Sequence, residues 1–365
     1  MSVAPKDSRP GPVVPGTEFA RAQAVADAVL YEGYLLYPYR RSSGKNRVRW
    51  QFGILAPRRW VEADGPVPPV VAGSVESWQQ QTECLFQVRG EREEAEVDIR
   101  LRFLRVVVRA AERAVDGEFV PVDSLDVDGT RHLSAEEAAP QQFDLHAKLP
   151  ALLDGGLTRE IELPDAMEAE PLGDSGRILR RSEGIAASLS AVAKRVGDGA
   201  YRLRVRVENR DRDVAAGASR PAALRRSLVA THLLIGGRGL EFCSMMDPPG
   251  ELSAAVAASR NIHAFPVLIG DDADLVLSSP ILLPDQPEVA PESPGDLHDA
   301  TEIDEMLSLL TLALTDAEKR EARATDPRAA EILDRVDGMP PEVLARLHGT
   351  MRSLRDATGA RGEGT

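Results

Sequence analysis

The chain has 365 residues, with 44 Lys plus Arg against 58 Asp plus Glu, and the resulting formal charge of −14 opposes nucleic-acid binding driven by phosphate neutralisation. At 43% hydrophobic and 28% charged residues, the composition lies near ordinary globular usage and away from the signature of disorder. No run approaches the roughly 18 uninterrupted apolar residues of a membrane span, and the start lacks the apolar core of a signal peptide, so the expected compartment is the cytoplasm.

Residues 1–17 contain four prolines and no apolar period, and read as a disordered tail. Order is expected to begin with an amphipathic stretch over Glu18–Ala26. The next segment, residues 28–40, holds four of the five tyrosines, and its aromatic and β-branched content argues for a strand. Residues 40–46 are a turn by composition, and 47–55 (RVRWQFGIL) resume as a strand, making a long hairpin. The clearest strand is AEVDIRLRFLRVVVR, where Val97, Ile99, Leu101 and Phe103 alternate with Asp98, Arg100 and Arg102. That period of two implies one buried and one wet face, with a bulge or bend where the phase changes at Leu104–Arg105. Tyr201, Leu203, Val205 and Val207 alternate in the same way, and the preceding VGDGA predicts a hairpin with residues 185–196. Further strands are expected over 84–89, 142–148, 227–235, 265–269 and 275–283.

From Pro284 the texture changes. Residues 284–298 form a proline-rich acidic strap, followed by a helical module over 299–357 and a frayed tail over 358–365. Within the module, Ile303, Leu307, Leu310 and Leu314 share one helical stripe; Thr315 and Glu318 have capping-box spacing; Asp326 and Pro327 cap and open a helix that Gly338 ends. The last helix starts near Pro340. The fold class that follows is mainly β, an antiparallel sandwich or barrel-like body over 18–283 with an α-helical C-terminal module. The acidic stretch near 163–176 leaves room for two β subdomains.

Charge is segregated. Between Arg40 and Trp60 lie seven basic residues and no acid, with Trp50 and Trp60 among them, whereas Asp271–Glu305 holds eleven acids and no Lys or Arg. Arginine beside indole is the pairing of protein-interaction hot spots, so Arg40, Arg41, Arg47, Arg49, Trp50, Arg58 and Trp60 are the candidate partner-binding residues. The acidic run is expected to repel itself into an open strap; the alternative is docking on a basic surface, in another protein or in this chain's own Arg40–Arg59 hairpin, the hairpin being the stronger of those two.

No complete catalytic, metal or cofactor motif occurs. The six histidines are scattered, Cys84 and Cys243 stand alone, and Gly236-Gly-Arg-Gly239 departs from dinucleotide and P-loop spacings and reads as a turn into Leu240. An alternative polar site, His232, Glu241 and Asp247, is suggested by the density of polar residues and glycines over 231–250. It would serve a hydrolase or a metal-dependent processing factor.

Three segments, residues 29–55 (VLYEGYLLYPYRRSSGKNRVRWQFGIL), 238–249 (RGLEFCSMMDPP) and 277–329, together resemble a little-characterised family of bacterial, chiefly actinobacterial, proteins encoded within gene clusters for nickel-iron uptake hydrogenases. The resemblance implies a cytoplasmic accessory role in hydrogenase expression, assembly or maturation, and it implies no active site. The expected function is therefore non-catalytic binding of a protein partner, a hydrogenase subunit or maturation factor, without cofactor, nucleic acid or membrane span. Homo-oligomerisation would run through the helical module.

Overall fold

The computed structural model describes residues 17–32, 34, 39–40, 42–43, 52–67, 76–270, 272–287 and 310–339. Arg41, Arg47, Arg49, Trp50, the tail 1–16, most of the strap, the first part of the module and everything beyond 339 lie outside these residues. The strands are β1 (Gln79–Val88), β2 (Glu96–Val115), β3 (Glu118–Val122), β4 (Ser124–Val127), β5 (Thr130–Leu133), β6 (Ala135–Lys148), β7 (Leu157–Leu163), β8 (Ala166–Leu172), β9 (Gly176–Ser182), β10 (Ile185–Arg195), β11 (Ala200–Asn209), β12 (Val229–Gly236), β13 (Leu240–Phe242), β14 (Phe265–Ile269) and β15 (Leu275–Ser279). The helices are α1 (Thr17–Tyr31), α2 (Arg58–Val61), α3 (Leu149–Leu153), α4 (Arg220–Leu224), α5 (Ser253–Ala257), α6 (Asp316–Thr325) and α7 (Pro327–Asp337).

Two antiparallel sheets face each other. The smaller has the order β13-β1-β11-β10-β7, and the larger β14-β15-β12-β2-β9-β8, with β3 and β6 also on β2. The alternating residues seen in the sequence fill the space between them: Val97, Ile99, Leu101 and Phe103 from β2 meet Leu203, Val205 and Val207 from β11 and Leu189 from β10 in one core. β2 is the spine. It carries β12 on one edge along residues 98–104 and β9 farther along that edge, with β6 and then β3 on the other. The acidic stretch near 163–176 contains β8, which pairs with β9.

The wet face expected on β2 is a correction. Leu104 and Val106, and Arg100 and Arg102 before them, face a second layer instead of water. α1 lies over β12 and β15, packing Phe19, Ala22, Ala26 and Val29 on Leu234, Val267 and Leu277. Leu30, Tyr31, Ile332 and Leu333 cover Leu104, Val106 and Val229. The two arginines stay polar inside this layer: Arg100 makes a bidentate pair with Asp144 at 2.8 and 3.0 Å beneath the Phe19 ring, and Arg102 is held by Asp27 of α1. Alternation reports which side chains share a face; it is silent on what a distant helix later covers.

The strand expected over 28–40 is likewise corrected at its start, because residues 28–31 are the last turn of α1. Val29 and Leu30 continue the helical stripe of Phe19, Ala22 and Ala26, and packing outweighs the β propensity of tyrosine and valine. Residues 44–51 of the expected hairpin lie outside the described residues, and Leu55 forms isolated bridges to Ser77 and Leu228. The bulge expected at Leu104–Arg105 lies in the neighbouring strand: the register slips between Val229 and His232 against Leu104 and Arg102, and Ala230 takes φ +52°. Residues 52–53 dock there, with Ala230 N donating to Phe52 O and Thr231 N to Gly53 O. The strand expected over 275–283 ends at Ser279.

The module's cap chemistry is as read from the sequence. Thr315 and Glu318 form a reciprocal capping box on α6, and Asp326 caps α7, which ends at Gly338. Asp326 is buried and also accepts from the Tyr34 hydroxyl at 2.6 Å, while that hydroxyl accepts from Ala138 N at 3.3 Å. Tyr34→Phe is expected to leave one Asp326 oxygen without its donor, at a cost of roughly 1–3 kcal/mol. Hydrogen exchange of α6 and α7 amides should accelerate while that of β10 and β11 is unchanged. Equal protection in both proteins would show that Tyr34 does not hold the module.

Candidate functional site

An open cleft of about 1470 Å³ lies on the outer side of the larger sheet. Its floor comes from Val108, Arg109 and Ala110 of β2 and from Ala135 and Glu136 of β6. One wall is the β4–β5 hairpin, another the first turns of α6, and α4 closes the end with Pro221, Leu224 and Arg225.

Each wall has a sequence-level cause. The hairpins β2–β3 and β4–β5 turn on Asp116-Gly117 and Asp128-Gly129, both pairs at positive φ (50° and 86°, 50° and 78°), the primed geometry that suits the strand twist. On β4–β5, Leu125 and Val127 turn to a small core with Ala111 and Ile178. The opposite face, with Asp126, Arg131 and Leu133, looks into the cleft. Arg109 ties the floor to the helical wall: it donates to Glu137 at 2.5 Å, to Leu133 O at 3.0 Å and to Ala324 O at 2.8 Å near the C-terminal end of α6, where a helix favours a cation.

Of the basic segment singled out in the sequence, Arg40 is the described candidate residue that reaches this cleft. Arg40 lines it and pairs with Glu318 at 2.9 Å, and Ser42 N donates to Glu321 at 3.1 Å. Glu318 lies on α6, beyond the acidic run, whose second half is outside the described residues, as are residues 44–51 of the arginine hairpin. Hydrogen bonds from the Thr315 backbone N–H and then its hydroxyl, with Arg40 adding charge, hold the Glu318 carboxyl below the usual carboxylate range. Trp60 packs beside the tyrosine-lined core and donates from Nε1 to Ala218 O at 2.8 Å, just ahead of α4. Arg58 lies apart from Arg40: it pairs with Glu62 at 2.8 Å and stacks 4.2 Å above the Trp78 ring.

His232, Glu241 and Asp247 occupy different surroundings. His232 is fully buried in the larger sheet, its Nδ1 hydrogen-bonded to Ala230 O at 2.8 Å and its Nε2 without a partner; burial pushes its pKa down to about 3. Glu241 is on β13 of the smaller sheet and pairs with Arg89 at 2.8 Å, which holds its carboxyl below the usual range. Asp247 is exposed in the loop after β13, where its N–H donates to the Ser244 hydroxyl at 2.8 Å. These three share no hydrogen bond, and among the described residues no three His, Cys, Asp or Glu side chains are grouped to hold a metal ion.

The cleft's walls were missed from the sequence although a signal was present. Two Asp-Gly dipeptides within residues 115–130, each flanked by β-forming residues, are hairpin marks. No helix among the described residues is long and apolar enough to cross a membrane. No protein-family model matches the chain, and no curated protein sequence matches it.

Proposed function

We propose that the chain is a non-catalytic accessory protein that binds a polypeptide partner through the cleft between the β4–β5 hairpin, α4 and α6. The observation that carries the reading is the cleft itself, which is larger than the roughly 300–1,000 Å³ usual for small-molecule pockets and open, with aliphatic and charged side chains interleaved along its lining. The resemblance of residues 29–55, 238–249 and 277–329 supplies the partner class: a subunit or maturation factor of a nickel-iron hydrogenase in the cytoplasm. The described part of the helical module turns Ala329, Ile332, Leu333 and Val336 inward on its own β body, which favours a role as a cleft wall over one as an oligomerisation face.

The test is affinity capture of the tagged full-length protein from its native host under hydrogenase-inducing conditions, together with a clean deletion. Enrichment of hydrogenase subunits or maturation factors, and impaired subunit assembly in the deletion strain, are the expected results. Normal assembly and activity after deletion would overturn the reading.

A further inference from the structure

The carboxylates on the cleft walls are largely committed within the chain, whereas Arg320 is not and Arg225 is only partly so. Glu318 serves Arg40 and the α6 cap, and Glu321 accepts from Ser42 N. Against these, Arg225 has its Nε buried with no hydrogen-bond partner, and its terminal nitrogens lie 3.6 Å from Glu136 and 4.0 Å from Glu183, outside hydrogen-bond range. Arg320 is exposed on α6 and makes no ion pair among the described residues. Arg131, 58% exposed, has only long contacts across its hairpin, an ion pair to Asp126 at 3.7 Å and a hydrogen bond to the Ser124 hydroxyl at 3.5 Å, which a closer carboxylate would displace. Val108, Val122 and Leu224 add aliphatic surface to the same lining.

We propose that the cleft receives an extended acidic segment of another protein, whose carboxylates engage Arg225, Arg320 and Arg131 while an aliphatic or aromatic side chain seats on Val108, Val122 and Leu224; this rests on the polypeptide-binding reading above. A carboxylate fits a guanidinium fork with two parallel hydrogen bonds, and one near Arg225 would satisfy its buried Nε. The chain's net charge of −14 opposes a phosphodiester backbone, which carries a charge on every nucleotide, more than a peptide of lower charge density. Carboxylates spaced by apolar residues can meet Arg225 and Arg320 singly while the apolar anchor seats on the aliphatic side chains.

The experiment is fluorescence anisotropy of the full-length protein with a labelled peptide of repeated Glu-Glu-Val-Leu units, run beside its Lys-Lys-Val-Leu counterpart and a labelled single-stranded RNA of equal length. The acidic peptide should bind, weaken with added salt, and lose affinity about tenfold in Arg225→Glu and severalfold in Arg320→Glu. The exposed position of Arg320 keeps the test decisive even where Arg225→Glu disturbs folding. No binding of the acidic peptide, equal binding of the lysine peptide, tighter binding of RNA, or indifference to both substitutions would each overturn the proposal. If hydrogenase proteins are captured but the acidic peptide does not bind, the acidic-segment proposal falls and the accessory reading stands. If the peptide binds but no hydrogenase protein is captured, the partner assignment falls and the cleft's chemistry stands.

Discussion

Gly237→Ala is expected to destabilise the fold by more than about 3 kcal/mol, seen as a large fall in the urea midpoint or as failure to accumulate in soluble form. Gly237 sits at φ +145° in the turn from β12 to β13, and a Cβ there would lie 1.9 Å from Glu96 O and 2.8 Å from its carbonyl carbon. That carbonyl belongs to the first residue of β2, whose N–H donates to Arg238 O at 3.0 Å, so neither backbone can retreat without unzipping the spine of the larger sheet. Gly129→Ala provides the contrast. Its φ of +78° is also left-handed, but nothing lies within 4 Å of the added atom, so the cost should be only the conformational one of roughly 1–2 kcal/mol. Equal effects of the two substitutions would refute the steric argument.

Acid is expected to weaken the protein through His232. The ring is fully buried, with Arg102 of β2 on the same face and Asp27 of α1 nearby, and burial outweighs the opposing effect of the Ala230 carbonyl, lowering the pKa from 6.5 to about 3. Because the folded pKa is below the unfolded one, the unfolded chain binds an extra proton between these values. Stability contributed by the neutral ring is complete above about pH 6.5 and declines as pH falls, by about 1.4 kcal/mol per unit until about pH 3. Over that span the sum is roughly 4–5 kcal/mol. His232→Asn keeps a donor toward Ala230 O and removes the titration, so its urea-derived stability should fall less steeply between pH 6.5 and 4.5 than that of the native sequence. Parallel pH profiles would show that His232 is not the group responsible.

Much of the β body was legible because its information is local. Val97 through Phe103 and Tyr201 through Val207 alternate over long enough runs to specify strands, and the turn residues 196–200 fix the β10–β11 pairing. The caps of α6 and α7 were legible for the same reason, since a capping box and an Asp-Pro start act within four residues. The residues that build the candidate cleft were legible only singly. Arg40 stood out as part of a basic segment, but Glu318, its partner on α6, is separated from it by most of the chain. Arg109 has no spacing signal of its own, and its joining of β2 to β5, β6 and α6 depends on contacts made from distant parts of the sequence.

By itself, the sequence determined the mainly antiparallel β class, the strand alternation, the helix caps and the segregation of charge. Each follows from side-chain period, backbone propensity or hydrogen bonds between near neighbours. Only the tertiary structure decided that Arg100 and Arg102 lie under α1 paired with Asp144 and Asp27, that residues 28–31 finish a helix, and that α6 stands against β2 to make a cleft. Those outcomes are set by which distant apolar stripe covers which sheet face. The driving force for that covering is buried area, which is non-directional and leaves no spacing rule in the chain.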